Sequence, residues 1–214
     1  MEVKRFTDFE RKLTDQLLSL AMPRSDEEIH VSELVGCVKR SYYMRTEYKG
    51  EQYRSMAYKY VGKLLHRAFE SLWPSAIVER QIERDGIVGT VDILGDYIFE
   101  LKTTRKNPKR MKSIPLDWQY QVMAYCYLAG RRKAVLLVLN LITGELSAWL
   151  LEFSRDELEA TWRMLRHRRN LLVDAIRTRT PDALPEYHEY CATCEFYSMC
   201  RGERRNQSSL FSFL

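Results

Sequence analysis

The stretch Gly89 to Lys102, GTVDILGDYIFELK, constrains the fold more than any other part of the chain. Two short apolar runs flank Gly95-Asp96, the signature of an antiparallel hairpin. Side chains on a strand alternate between faces, so the register decides where the ionisable residues go. A two-residue turn at Gly95-Asp96 sets Asp92 against Phe99 and mixes charge with apolar bulk on both faces. A three-residue loop, Gly95-Asp96-Tyr97, instead pairs Asp92 with Glu100, Thr90 with Lys102, Ile93 with Phe99 and Val91 with Leu101. One face is then wholly apolar and the other carries Asp92, Glu100 and Lys102. The hydrophobic pattern therefore selects the three-residue loop.

Two carboxylates directly across a ladder, about 5 Å apart at Cβ, repel each other unless a cation lies between them. Hard oxygen donors suit Mg²⁺ or Mn²⁺, and such an ion lowers the pKa of bound water and offsets charge developing on a phosphate. Lys102, on the same face, then orients the attacking water or meets the phosphate. The other account of this pattern is a solvated hairpin with incidental charges, since so short a motif recurs by chance.

The 214 residues, 45% hydrophobic and 12% aromatic, suffice for one domain with a substantial core. The expected class is α/β or α+β, with a mixed central sheet flanked by helices. A formal charge of +5 suits a polyanion partner without requiring one. No run approaches the ~18 apolar residues of a membrane span, and the start, MEVKRFTDFERKL, lacks an apolar signal region, so a cytoplasmic protein with no membrane partner is expected.

Periodicity places helices over residues 5 to 20, from a Ser32 cap through Glu33, Leu34, Cys37 and Lys39, and from Met56 to Trp73 ahead of Pro74. The third of these has the stripe Val61, Leu65, Ala68, Phe69 and Leu72. His66 lies off that stripe: it is a surface or hydrogen-bonded residue unless the helix runs beside the hairpin, where its imidazole joins Asp92 and Glu100 at a metal. Strands are expected at Ala76–Ile82, Lys133–Leu141 and Leu146–Phe153, the last two a hairpin across Thr143-Gly144. A helix covers Leu116–Ala129, and a long arginine-rich helix runs from its Ser154 cap to about Arg179.

Several polar and aromatic groups remain open between two uses. Tyr42, Tyr43 and Tyr48, set among basic residues, either stack on bases or pack at a helix end. The segment 103–113, TTRKNPKRMKS, with Arg105, Lys106, Lys109 and Arg110, either holds a phosphate backbone or is a solvated loop. Gln121 and Tyr125, four apart on one helix face, either position Lys102 or a phosphate or serve as interface polar groups. Cys126 has no cysteine near it in sequence and is expected to be a buried free thiol.

The other four cysteines form a set. Cys191-x2-Cys194-x5-Cys200 brings three thiolates into one loop, and Cys37 is the natural fourth ligand. Zinc and an iron-sulfur cluster both accept four thiolates. Zinc modules usually combine two close pairs, so the one-plus-three division favours a cluster, 2Fe-2S or 4Fe-4S. It would fasten segments around 32–48 and 186–202 together.

In order along the chain, His66, Gly89-Thr90-Val91-Asp92, Glu100-Leu101-Lys102 and Gln121-x3-Tyr125 resemble the helix His, GxxD, ExK and QxxxY motifs of the RecB-like branch of the PD-(D/E)xK nucleases. With Cys37 and the C-terminal cysteine triplet, and with no helicase segment, the chain is similar to the CRISPR-associated Cas-four exonucleases over roughly residues 30 to 202. The resemblance implies a restriction-endonuclease-like core and a single-strand-preferring DNA exonuclease, generally 5′ to 3′. It also implies Mn²⁺ or Mg²⁺ dependence and work in spacer acquisition with the integrase and its partner subunit. It assigns metal ligation to His66, Asp92, Glu100 and the backbone carbonyl of Leu101, assistance of the nucleophilic water to Lys102, substrate or site ordering to Gln121 and Tyr125, and the cluster to Cys37, Cys191, Cys194 and Cys200. A DNA-binding adaptor without catalysis, or a repair or recombination nuclease outside CRISPR, is compatible with the same residues. The apolar tail Leu210, Phe211, Phe213 and Leu214 packs either on its own subunit or on another, which leaves an oligomer open.

Overall fold

The computed structural model describes residues 28–47, 53–74, 77–108, 111 and 113–202. The expected helix at 5 to 20, Tyr48, Lys109, Arg110 and the apolar tail lie outside these residues. In chain order the elements are β1 (Ile29–His30), α1 (Val31–Leu34), α2 (Val38–Thr46), α3 (Tyr53–Glu70), β2 (Val78–Arg84), β3 (Ile87–Leu94) and β4 (Ile98–Thr104). Then come α4 (Leu116–Leu128), β5 (Lys133–Asn140), β6 (Leu146–Glu152), α5 (Arg155–Thr178), a 3₁₀ turn (His188–Thr193) and α6 (Tyr197–Arg201). They build a mixed six-stranded sheet in the order β1-β3-β4-β5-β6, with β2 also paired to β3, and with helices packed against it.

The strand β5 pairs in parallel with β4 and antiparallel with β6, the central place its apolar run predicts. Ala134, Leu136 and Val138 are fully buried on one face. The β5–β6 turn is set by Asn140, whose Oδ1 accepts from the N–H groups of Ile142 (2.8 Å) and Thr143 (3.1 Å), and by Gly144 at φ 72°. The start of α5 is a capping box: Ser154 Oγ accepts from the Glu157 N–H, and the Glu157 carboxylate accepts from the Ser154 N–H at 2.8 Å. Its inner face supplies Trp162, Leu165 and Leu172 to the core, where truncating the Trp162 ring to Ala would cost about 3–5 kcal/mol.

Three expectations need correction. The helix expected to hold Glu33, Cys37 and Lys39 together is two helices, and Glu33, not Ser32, closes the first by accepting from the His30 N–H at 2.8 Å. Arg168 of α5 donates to the carbonyls of Leu34, Val35 and Gly36, so the chain turns there and Cys37 becomes the N-cap of α2. Helix α3 turns only part of its apolar stripe inward: Val61 and Ala68 are exposed and Leu65 and Phe69 half-buried, whereas Glu70 is buried and His66 partly so. It also ends at Glu70, with a turn before Pro74.

The third correction concerns the hairpin. The loop at 95–97 and the pairs Ile93 with Phe99 and Leu94 with Ile98 follow the predicted register, but the β3–β4 ladder stops there. Strand β2 pairs with β3 from Ile87 to Ile93 and so occupies one edge along nearly its whole length. The other edge must therefore be shared, by β1 at Ile87 and Val88 and by β4 at Ile93 and Leu94. Beyond Phe99, β4 follows β5 in parallel as far as Thr104 and departs from β3. Thr90 and Val91 pair with Gln81 and Arg80 of β2 instead of Lys102 and Leu101. The two strands thus form a fork, and the charged residues sit in it.

Candidate active site

Asp92 bridges the fork. Its Oδ2 accepts from the Leu101 N–H at 2.8 Å, replacing a ladder bond with a side-chain bond. The same oxygen lies 3.2 Å from His66 Nδ1, which places α3 beside the hairpin, the condition on which the interest of His66 depended. Glu100 is 2% exposed, and its Oε1 accepts from Lys102 Nζ at 2.7 Å. Lys102 Nζ also donates to Gln121 Oε1 at 2.6 Å, and Gln121 Nε2 donates to the Tyr125 hydroxyl at 2.8 Å. Gln121 and Tyr125 thus form a hydrogen-bonded chain that ends on Lys102.

Close approach of α4 makes this relay possible. A Cβ at Gly89 would lie 2.6 Å from Leu128 Cδ1 and 3.2 Å from the Tyr125 ring, so glycine in β3 lets the helix settle on the sheet. The fork is low in dielectric and rich in negative charge. Burial pushes the Glu100 carboxyl up to about 7, against the Lys102 charge, and Asp92 adds to the rise. Burial alone would lower the His66 pKa, but its hydrogen bond to Asp92 and the Asp92 and Glu100 charges outweigh that and raise it.

One residue beside His66 and Asp92 was not foreseen. Glu70, one helical turn after His66, is 8% exposed, and among the described residues His66, Glu70 and Asp92 are the group of three whose ligand atoms all lie within 4.8 Å of one another. Glu100 falls outside that group, so the expected His66, Asp92 and Glu100 set shares a neighbourhood without forming one equally tight cluster. The signal available in the sequence was the His-x3-Glu spacing, which puts both side chains on one helical face.

The residues expected to contact nucleic acid divide. Arg105 and Lys106 are exposed at the start of the basic loop, whose course is fixed by Asn140 Nδ2 donating to the Lys106 carbonyl at 3.1 Å. Tyr42 and Tyr43 are 5% and 9% exposed and pack edge to face, with Tyr43 stacked on Phe196. They are core residues and cannot stack on bases. Their aromatic area is used to bury the inner side of α2, which composition alone does not reveal.

Cys37, Cys191, Cys194 and Cys200 line one pocket, together with Tyr43 and Phe196. Ion pairs hold its two walls: Arg40 with Glu195 across 155 residues of sequence, Lys39 with Glu186 at 3.1 Å, and Arg201 with Glu186 at 2.9 Å. The Val38 N–H also donates to the Pro185 carbonyl at 3.1 Å. Cys126, by contrast, is fully buried in the core, with its thiol pushed up to about 12 by burial, as expected of an inert residue.

The sequence profile of the PD-(D/E)XK nuclease superfamily matches residues 7–201. The chain belongs to that superfamily. The PD-(D/E)XK fold is also shared with the solved structure of SSO0001, which aligns with a TM-score of 0.62 at 21% identity and covers 92% of this chain and 98% of that one. An alkaline exonuclease (LHK-Exo) from Laribacter hongkongensis aligns with a TM-score of 0.47 at 10% identity, covering 79% of this chain and 97% of its own. A phage-related exonuclease from Haemophilus somnus 129PT aligns at 0.45 and 10%, with 71% and 96% covered. Among curated proteins none matches the sequence.

Membership in the PD-(D/E)XK superfamily implies metal-dependent nuclease activity. The residues in the fork fit a divalent cation on grounds of their own. Glu100 Oε2 is buried with no hydrogen-bond partner, its other oxygen being taken by Lys102. An unpartnered carboxylate oxygen in such a place is costly unless a cation meets it. No described helix of this nuclease is long and apolar enough to cross a membrane.

Proposed function

We propose that the protein is a divalent-metal-dependent deoxyribonuclease of the Cas-four type, an exonuclease that prefers single-stranded DNA, with 5′ to 3′ polarity, and carries an iron-sulfur cluster. Within it, His66, Asp92, Glu100 and the Leu101 carbonyl would hold Mn²⁺ or Mg²⁺. The bound ion supplies an activated water and charge compensation for the attacked phosphate. Asp92 bonds the Leu101 N–H and so fixes the backbone between Asp92 and Glu100. Lys102, kept close to Glu100 by its shared bond to Gln121, orients the water and neutralises the pentavalent phosphate as charge builds on it. Tyr125 fixes the Gln121 amide so that its oxygen faces Lys102. Arg105 and Lys106, with Lys109 and Arg110, meet the DNA backbone. The observation that carries the nuclease reading is the buried, unpartnered Glu100 Oε2 beside a tethered lysine.

The cluster reading is supported by the convergence of Cys37 with the C-terminal triplet. The one-plus-three division of the cysteines and the aromatic rings beside them favour a polynuclear cluster over a single zinc. Four thiolate ligands and the RecB-like motif order are what tie the protein to spacer acquisition beside an integrase and its partner subunit. The whole chain acts as one nuclease domain, its cluster elements at 32–48 and 186–202 clasping the ends.

The test uses anaerobically purified protein, 5′- and 3′-end-labelled single- and double-stranded DNA, and Mn²⁺ or Mg²⁺. The expected result is a brown preparation containing iron that degrades single strands from the 5′ end only when metal is added. Salt-sensitive DNA binding without turnover would assign a non-catalytic adaptor, and a colourless protein with one zinc per chain would overturn the cluster.

A further inference from the structure

We propose that the β5–β6 turn, with Ile142 at its tip, is a wedge that unstacks the last base pair of a DNA duplex end and hands one strand to the fork. This rests on the metal-dependent nuclease reading and deepens it, since it adds the duplex terminus to the substrates the fork can take.

Ile142 is 73% exposed, and Leu146 at the foot of the same turn is 57% exposed. A single exposed aliphatic residue is ordinary on a protein surface, but the turn beneath this one is built to hold it. Asn140 is 2% exposed, and its Oδ1 accepts from the N–H groups of Ile142 and Thr143 at 2.8 and 3.1 Å. Two backbone bonds close the turn on the same residue, from the Gly144 N–H to the Asn140 carbonyl and from the Asn140 N–H to the Glu145 carbonyl, each 2.9 Å. A buried amide is thus given over to fixing an apolar residue out in water. Backbone set in place beforehand loses little freedom when its side chain meets a ligand.

The surroundings of the turn identify that ligand. Asn140 Nδ2 also donates to the Lys106 carbonyl at 3.1 Å, and the Leu141 N–H donates to the Thr104 carbonyl at 2.8 Å. The apolar tip is therefore tied to the segment that carries the exposed Arg105 and Lys106. Thr104 and Asn140 pair across the β4–β5 ladder two residues beyond Lys102 and Val138, about 7 Å along the strands. That is the rise of roughly two stacked nucleotides at about 3.4 Å each. Cations beside an aliphatic tip match a duplex end, where anionic phosphates border the flat apolar face of the last base pair. Aliphatic side chains that enter a base step unstack it. The strand held by Arg105 and Lys106 then follows β4 to Lys102. An acidic protein partner would use the cations alone and leave Ile142 without a task.

The experiment uses the full chain and a hairpin duplex with 2-aminopurine in its blunt terminal pair, read by fluorescence without divalent metal and by cleavage with Mn²⁺. Wild type is expected to raise the fluorescence at least about threefold as the base leaves the stack. Ile142→Ala, at an exposed tip, should keep the wild-type Tm and lose that rise. It should cleave the blunt duplex at least about tenfold more slowly, yet cleave single strands and a duplex with mismatched terminal pairs within about twofold of wild type. Ile142→Leu, which keeps the aliphatic bulk, should behave as wild type. An equal fall on all substrates, an unchanged fluorescence rise in Ile142→Ala, or a loss in Ile142→Leu as large as in Ile142→Ala overturns the wedge. A wild type that cleaves single strands without opening the duplex end overturns it while leaving the nuclease reading intact. A wild type that opens the end and cleaves nothing removes the nuclease reading and leaves the end-opening role standing.

Discussion

The acidic fork and the cysteine pocket are built in opposite ways. In the fork, Asp92, Glu100 and Lys102 are neighbours in sequence, placed on two strands and tied by bonds of 2.6 to 2.8 Å to Leu101 and Gln121. The cysteine pocket joins residues from the two ends of the described chain, and ion pairs such as Arg40–Glu195 hold its walls. One site is pre-organised by bonds among its own ionisable groups, and the other is framed by ion pairs between segments remote in sequence. Chemistry that needs sub-ångström positioning belongs on the rigid sheet, and a fastening can tolerate the looser arrangement.

That contrast can be broken from either side. The largest effect is expected from Lys102→Ala, which removes the group tethered between Glu100 and Gln121: metal-dependent cleavage should fall by about 10²–10³-fold or more while the visible spectrum of the cluster stays unchanged. Parallel loss of both would mean that the two sites are not separate. Cys194→Ser should do the converse, abolishing the visible absorbance and lowering Tm by roughly 5–10 °C, with cleavage at low temperature reduced by less than about tenfold.

Smaller changes sharpen the account of the fork. Gly89→Ala drives a methyl to 2.6 Å from Leu128 and should cost about 1–3 kcal/mol, read by denaturant unfolding, as α4 is pushed from the sheet. Gln121→Ala leaves Lys102 bonded to Glu100 alone and should lower kcat by about tenfold with little change in Tm. The smallest effect is on pH. With the Glu100 carboxyl raised to about 7 in the metal-free protein, protons compete with metal below that pH. Mn²⁺ affinity should weaken by up to about tenfold per unit as pH falls through 7, a dependence lost in Glu100→Gln. Stability carries the opposite sign. A carboxyl whose folded pKa lies above its unfolded one contributes stability that is complete below about pH 4.5 and is lost as pH rises through 7, so metal-free wild type should melt lower at pH 8 than at pH 5.

Much of the fork was legible because strand periodicity leaves little freedom. An apolar face on Val91, Ile93, Phe99 and Leu101 forces the three-residue loop, and Ile93 does pair with Phe99. The extent of that pairing was not legible. It depends on β1 and β4, segments remote from each other in sequence, competing for one edge of β3. Helix α3 misleads for a related reason: its apolar residues advertise an inward stripe, yet His66 and Glu70 turn inward while Val61 and Ala68 are left exposed. Glu70 was therefore missed although it shares a helical face with His66. Around Tyr42 and Tyr43 the chemistry of the residues fits two uses equally, and only the packing of Tyr43 on Phe196, far away in sequence, decides between them. That the four cysteines line one pocket could be expected from their spacing, which does not depend on which face of an element turns inward.

The central claim is that the buried Glu100 carboxylate in the fork serves a metal ion that cleaves DNA. The most direct measurement is the initial rate of Mn²⁺-dependent cleavage of 5′-end-labelled single-stranded DNA by Glu100→Gln and by wild type, each with its cluster spectrum intact. The account predicts a loss of at least about 10²-fold that added Mn²⁺ does not rescue. A variant that cleaves within twofold of wild type would contradict it.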